Sequence, residues 1–310
     1  MNLDPDSHDN VDWQSQREAT NRFWLTALLV VLRVFGRTAA RWVLLPVVAA
    51  FSFVFNGPAR RASRRYLRRV DGCSGSLGEV FRHMHTFATV SADRLVLMDQ
   101  GSENFSIELV NTECFADLTA GAILVTSHFG SFDVMRVEAD TLQPIPIHIM
   151  LDVAHNQKTL ALINRLNPVM ASRIVDAGVG GPKLILKLKN LLESNRLVGV
   201  MADRVVGGQR TQQVDFLGGR AKFPLGPWLM AAILEKPVIL CFGVFLGGNR
   251  YRVTCERLML DPSGRTKEKA EKALLQYVQR LEHYVDQAPF NWFNFYDFWE
   301  NENSNERPQS

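Results

Sequence analysis

No stretch of this chain is both long and apolar enough to read as a simple membrane-crossing helix. The longest uncharged apolar run, Trp42 to Phe55, has 14 residues and contains Pro46. As a helix it spans roughly 21 Å, short of the ~30 Å hydrocarbon core. Cysteine is scarce, and Cys73, Cys114, Cys241 and Cys255 form no CxxC pair and no metal spacing with histidine. Reduced thiols are therefore expected, with Cys241 and Cys255 able to face each other across a turn at Gly247-Gly248. The formal net charge is only +3, too small by itself to suggest a nucleic-acid binder. Residues 1–21 are acidic and polar, without the basic start of a secretory leader, and are expected to be a flexible tail, as are residues 300–310. There is no His-Glu-x-x-His, no GxSxG, no phosphate-binding GxxxxGK and no GxGxxG. These absences argue against a metalloprotease, a serine hydrolase, a P-loop enzyme and a dinucleotide-binding enzyme, and no metal or cofactor is expected.

What is present begins with a concentrated apolar and basic amino end. Residues 23–55 are the most apolar of the chain, interrupted by Arg33, Arg37 and Arg41 at helical spacing of four. Trp24 and Trp42 suit a headgroup zone. Arg60, Arg61, Arg64, Arg65, Arg68 and Arg69 come next as pairs repeating every four residues, which a helix gathers on one broad face. Such a face attracts an anionic membrane surface or an acidic partner protein, or is simply solvated. Residues 22–70 thus read as a membrane-associating helical segment, and residues 71–299 as the main domain.

Beyond Val70, short apolar runs alternate with helical patterns. Strands are expected near 107–110, 122–126, 145–150, 172–175 and 197–201, with a hairpin over 238–245 and 251–256. Helices are expected over 78–98, 131–140, 156–166, 182–193, 227–234 and 266–286. With 46% hydrophobic and 22% charged residues this is an α/β pattern, a mixed sheet flanked by helices.

On that pattern, His128 falls on the loop after the strand 122–126, and Asp133 in the first turn of the next helix. The offset lets a carboxylate bend back to an imidazole, fixing its tautomer and balancing its charge when it takes a proton. Such a pair is a general base, although an aspartate at a helix start also serves as a plain cap. His83 and His85 are two apart and point apart on a helix, so packing or surface roles are expected. The aromatic end, Pro289 to Trp299, is expected to pack on the core, or else to wall an acyl-chain channel or face a membrane.

His128-x-x-x-x-Asp133, then Gly199 to Arg204, Phe216-Leu217-Gly218-Gly219 and Phe223-Pro224-Leu225-Gly226, form an ordered series. The series resembles the lysophospholipid acyltransferase superfamily, and within it the bacterial lipid A late acyltransferases, over roughly Trp24 to Trp299. The resemblance implies transfer of a fatty acyl group from an acyl carrier protein or coenzyme A thioester to a hydroxyl or amine of a membrane lipid or glycolipid. It implies His128 as base with Asp133 as partner, at the cytoplasmic face of a bacterial inner membrane. Gly130 and its neighbours are the expected oxyanion donors through backbone N–H groups near a helix start. Arg136, Asp203, Arg204, Gly218, Gly219, Arg220 and Lys222 are expected around the substrate, the last four from a glycine-rich loop. Asp203-Arg204 also reads as a structural ion pair or turn cap, and Arg136 as a surface arginine. The acidic carrier protein is a second candidate partner for the arginine face. A non-catalytic lipid- or carrier-binding module and a thioester hydrolase are the alternatives. The sequence departs from the lipid A branch in carrying Asp133 where glutamate is usual, Asp203-Arg204 where Asp-Gln is usual, and a nearly neutral aromatic end.

Overall fold

The computed structural model describes residue 42 and residues 45–299, except 116, 117, 119, 120, 143, 144 and 207. Both expected tails lie outside the described residues, as do Trp24, Arg33, Arg37 and Arg41.

The strands are β1 (Ser106–Val110), β2 (Ile123–Thr126), β3 (Ile147–Leu151), β4 (Ile174–Asp176), β5 (Leu197–Met201), β6 (Thr211–Phe216), β7 (Gly219–Pro224), β8 (Val238–Gly247) and β9 (Arg250–Leu258). Seven of them form one mixed sheet in the order β1-β9-β8-β2-β5-β3-β4, and β6-β7 form a separate antiparallel ribbon. From β8 to β4 the strands run parallel, whereas β9 returns antiparallel to β8. Cys241 and Cys255 are opposed in that β8–β9 register, with sulfurs 3.8 Å apart and both thiols free.

Alternation along the strands sets the layers, because successive side chains point to opposite faces. On β2, Ile123 and Val125 pack with Leu188, Leu192, Trp228 and Tyr277, while Leu124 packs with Val90, Val134 and Met135. One face is therefore covered by α7 (Gly181–Glu193), α8 (Gly226–Leu234) and α9 (Thr266–Gln287). The other is covered by α3 (Leu77–Gln100) and α4 (Phe132–Leu142). The sheet is apolar on both sides, as parallel strands buried under helices require.

Two helices precede α3: α1 (Leu45–Phe55) and α2 (Gly57–Leu67). The arginine spacing of α2 leaves Ala59, Ala62, Ser63, Tyr66 and Leu67 for its inward face, and all five are buried. Tyr66 donates its hydroxyl to the Pro289 carbonyl at 2.5 Å and sits edge-on to Trp292. Helix α2 thus packs its inner face on the main core through Ala59, Tyr66 and Leu67. Helix α1 buries Ala49 but exposes Val47, Phe51, Val54 and Phe55. Among the described residues, no helix is long and apolar enough to cross a membrane.

The segment 289–299 crosses back over the carboxyl end of β2. Gly130 N–H donates to the Asn291 carbonyl and Phe293 N–H to the His128 carbonyl, each at 2.8 Å. His83, fully buried, ties this segment to α2 and α3: its Nε2 lies 2.9 Å from the Trp292 carbonyl and its Nδ1 2.8 Å from Ser63 Oγ. Burial pushes the His83 imidazole down to about 4, so the ring is neutral and structural. Trp292, Phe293, Phe298 and Trp299 are buried, and the aromatic end packs on the core as its density suggested.

Candidate functional site

The sheet brings together two residues that the sequence keeps 75 apart. Strands β2 and β5 are parallel neighbours in the register Ile123↔Val198 to Thr126↔Met201. His128 lies two residues past Thr126 and Asp203 two past Met201, so both emerge at the same height on the carboxyl edge. In parallel α/β sheets this edge is where ligands bind.

Asp203, only 1% exposed, receives three donors. His128 Nδ1 lies 2.9 Å from Oδ1; the His128 backbone N–H, at 2.9 Å, and the Trp292 indole N–H, at 3.1 Å, both donate to Oδ2. An ionised carboxylate only accepts, so Nδ1 carries the ring proton and Nε2 presents its lone pair. The His128 side chain keeps 30% of its surface accessible. Burial, and then the Arg204 charge, hold the His128 imidazole below its ordinary value, against the opposing pull of Asp203. Burial by itself raises the Asp203 carboxyl, but the charge and hydrogen bonds of His128, with the Arg204 charge, outweigh it and leave it below the usual range. A neutral imidazole with a fixed tautomer and an ionised partner is suited to taking a proton at Nε2.

Asp133 is not the carboxylate bonded to His128 Nδ1. From the first turn of α4 it reaches sideways to α3, where Arg94 Nε lies 2.9 Å from its Oδ2, and Arg136 Nε approaches Oδ1 at 3.6 Å. Short separation in sequence suggests one pairing, and the direction of the helix produces another. Arg136 is no surface residue: it is 4% exposed and lines a cavity of ≈ 220 Å³ with Asn167, Met170 and Arg173.

Gly130 is held through its backbone. Its N–H is engaged by Asn291, and the next N–H, of Ser131, by the Gly243 carbonyl at 2.8 Å. Arg204 does sit beside the dyad, donating from Nη2 to the Phe293 carbonyl at 2.8 Å, with its guanidinium 5.9 Å from the Tyr296 ring centre.

Gly218 and Gly219 belong to a tight hairpin turn, not to a glycine-rich loop. Leu217 and Gly218 both have positive φ, at 48° and 69°, which suits the twist of a two-residue hairpin connection. A Cβ on Gly219 would meet Arg69 and Trp299 at 2.5 and 2.8 Å. Arg220 reaches Asp215 and Gln213 on the neighbouring strand, and Lys222 is exposed on the same face of the ribbon. The ribbon meets the site through Trp292, whose ring packs on Phe216 at 5.2 Å.

The six arginines of the amino end divide. Arg61, Arg64, Arg65 and Arg68 are exposed, and Arg65 pairs with Asp297. Arg60 folds back onto the Phe53 carbonyl and ring, and Arg69 onto the Trp299 ring and the Leu217 carbonyl. Two of the six are thus spent on packing.

Trp292 and Arg94 are the site residues that sequence reasoning missed. Aromatic density marks Trp292 as core but carries no sign of its indole donor, and Arg94 lies in the amphipathic pattern of α3 with no motif around it.

The family described as bacterial lipid A biosynthesis acyltransferase matches residues 75–301, most of the chain and all of the site. No curated protein matches. The chain belongs to the bacterial lipid A biosynthesis acyltransferase family, which places it among acyltransferases acting on a lipid acceptor.

Proposed function

We propose that His128 is the general base of this acyltransferase and that Asp203 is its partner. The acceptor is a hydroxyl or amine of a membrane lipid or glycolipid, and the donor an acyl carrier protein or coenzyme A thioester. The acceptor heteroatom attacks the thioester carbonyl carbon while its proton passes to His128 Nε2. The carbonyl electron pair moves to oxygen, then returns as the carbon–sulfur bond breaks, and the leaving thiolate takes the proton from Nε2. Asp203 holds the Nδ1 proton and balances the imidazolium formed in between; base help of this kind contributes roughly 10²–10⁴ in rate. The observation that carries the reading is the Nδ1–Asp203 bond, which leaves Nε2 as the basic atom. Arg204 is assigned to anionic groups of the substrate, for which a planar guanidinium is suited.

The test is transfer from radiolabelled acyl carrier protein and coenzyme A thioesters into a total bacterial lipid extract, with products resolved by mass. Label should enter lipid with the wild type and not with His128→Ala. Equal labelling by both would remove His128 from the chemistry, and thioester hydrolysis without lipid product would make water the acceptor.

The exposed apolar face of α1, continuous in sequence with the arginines of α2, supports seating at the cytoplasmic surface of a bacterial inner membrane. Each arginine near an anionic surface contributes about 1 kcal/mol. Replacing Arg61, Arg64 and Arg68 by glutamine should therefore weaken binding to anionic vesicles about a hundredfold in a flotation assay. Unchanged binding would assign these arginines to another partner.

A further inference from the structure

On the α3–α4 side of the sheet, away from the dyad, two guanidiniums line one cavity. It holds ≈ 220 Å³ and is bounded by Arg136, Ile147, Asn167, Val169, Met170 and Arg173. Its walls come from α4, from the start of β3, and from the corner where α5 (Gln157–Leu166) passes through Asn167 into α6 (Pro168–Ser172). Ile147 opens β3 and Arg173 immediately precedes β4, so the cavity lies towards the amino ends of these strands. Strand β3 reaches the carboxyl edge only at Leu151, about 13 Å further along at ~3.3 Å per residue. The corner is fixed: Asn167 Oδ1 accepts from Met170 N–H at 2.8 Å, and its Nδ2 donates to the Met98 carbonyl of α3 at 3.4 Å. Val169, at the rim, is exposed.

The charge of this cavity is one-sided. Among the described residues its lining has two cations and no carboxylate. Arg136 is 4% exposed, and Asp133, which its Nε approaches at 3.6 Å, lies closer to Arg94 at 2.9 Å. The positive field extends to the neighbouring strand: burial, and then the charges of Arg196, Arg173 and Lys187, hold the His148 imidazole below its ordinary value. Positive charge taken out of water is costly unless an anion answers it. A guanidinium offers five N–H donors in a planar fork, which matches the oxygens of a phosphate group and serves more than one partner. The volume falls below the ~300–1,000 Å³ of sites for drug-sized ligands, and so suits a phosphate with at most a small substituent. We propose that this cavity is an anion site for a phosphate group, either the free ion or the headgroup phosphate of a lipid. Arg136 is its buried cation and Arg173 its half-buried one. The site is separate from His128 and Asp203 and does not depend on the base reading. An anion held there ties α4 to the α5–α6 corner, which links binding to the stability of the fold.

The experiment titrates the full chain with inorganic phosphate, by calorimetry and by melting temperature, with sodium chloride holding the ionic strength constant. Wild type should bind phosphate saturably, and its melting temperature should rise with phosphate concentration, as linkage requires. Arg173→Gln should weaken binding by about tenfold or more, the loss of one charge-assisted contact. Lys189→Gln should not, because that exposed cation pairs with Glu193 on α7, on the opposite face of the sheet. Arg136 is buried and its removal can unfold the chain, so Arg173→Lys is the second variant. It keeps the charge but loses the fork, and its affinity should fall between wild type and Arg173→Gln. Glycerol 3-phosphate, titrated beside the free ion, separates the two sources. Tighter binding than phosphate assigns the site to a lipid headgroup, and weaker binding assigns it to the free ion. No saturable binding, equal melting temperatures in phosphate and in chloride, or equal affinities of wild type and Arg173→Gln would each overturn the proposal. The readout is binding, so an active His128→Ala would remove the base reading and leave this one standing.

Discussion

Asp203→Asn should lower kcat by on the order of 10³–10⁴, the scale of loss when the carboxylate orienting a catalytic histidine becomes an amide. Three N–H groups converge on this carboxylate, two from His128 and one from Trp292. An amide has one accepting oxygen and one donating nitrogen, so it cannot serve both sides. If its nitrogen faces the ring, His128 must accept at Nδ1 and carry its proton on Nε2, the tautomer that cannot act as base. If its nitrogen faces the other two donors, N–H groups oppose each other in a buried place. The measurement is kcat for Asp203→Asn beside Asp133→Asn, with melting temperature as the control for folding. A larger loss in Asp133→Asn would restore the pairing suggested by the motif. Because the imidazole is held below its ordinary value, the wild-type acid limb should lie below about 6.5.

Gly130→Ala should be the most destabilising single-methyl change near the site. Gly130 has φ 57°, and a Cβ there would lie 1.8 Å from the Gly243 carbonyl oxygen. That oxygen is backbone of a central strand and already accepts from Ser131, so no flexible side chain can give way. A cost on the order of 4 kcal/mol or more is expected, as for other steric conflicts in a core, with a fall in melting temperature of about 10 °C. Gly218→Ala is the internal comparison: its φ is 69°, but nothing lies within 4 Å of the added carbon. It should lose only the conformational term, about 1–2 kcal/mol. Equal melting temperatures for the two variants would refute the contact argument.

The layering, the sheet and the place of His128 are legible in the sequence because they depend on contiguous patterns. The apolar run of β2 and the start of α4 fix the loop between them without help from elsewhere. The partner of His128 is not legible in the same way. Which carboxylate stands beside it depends on the register of β2 against β5, and neither segment records the other. Asp203 is visible as a candidate through its family block, but short spacing gives its task to Asp133, the nearer aspartate. The ribbon β6–β7 reads as a loop because Thr211 to Asp215 is largely polar, and its pairing is completed by burial under Trp299. Trp292 acts through its indole nitrogen, a detail that aromatic density cannot show.

The crossing of segment 289–299 over the His128 loop has a consequence for biosynthesis. Chains grow from the amino end, so α1 and α2, with the exposed apolar and basic surface, leave the ribosome well before Trp292. Until then Asp203 lacks its indole donor, His83 lacks the Trp292 carbonyl, and the His128 loop is not pinned by Asn291 and Phe293. The imidazole is therefore aligned only once the last strand-crossing segment has emerged, at the close of translation.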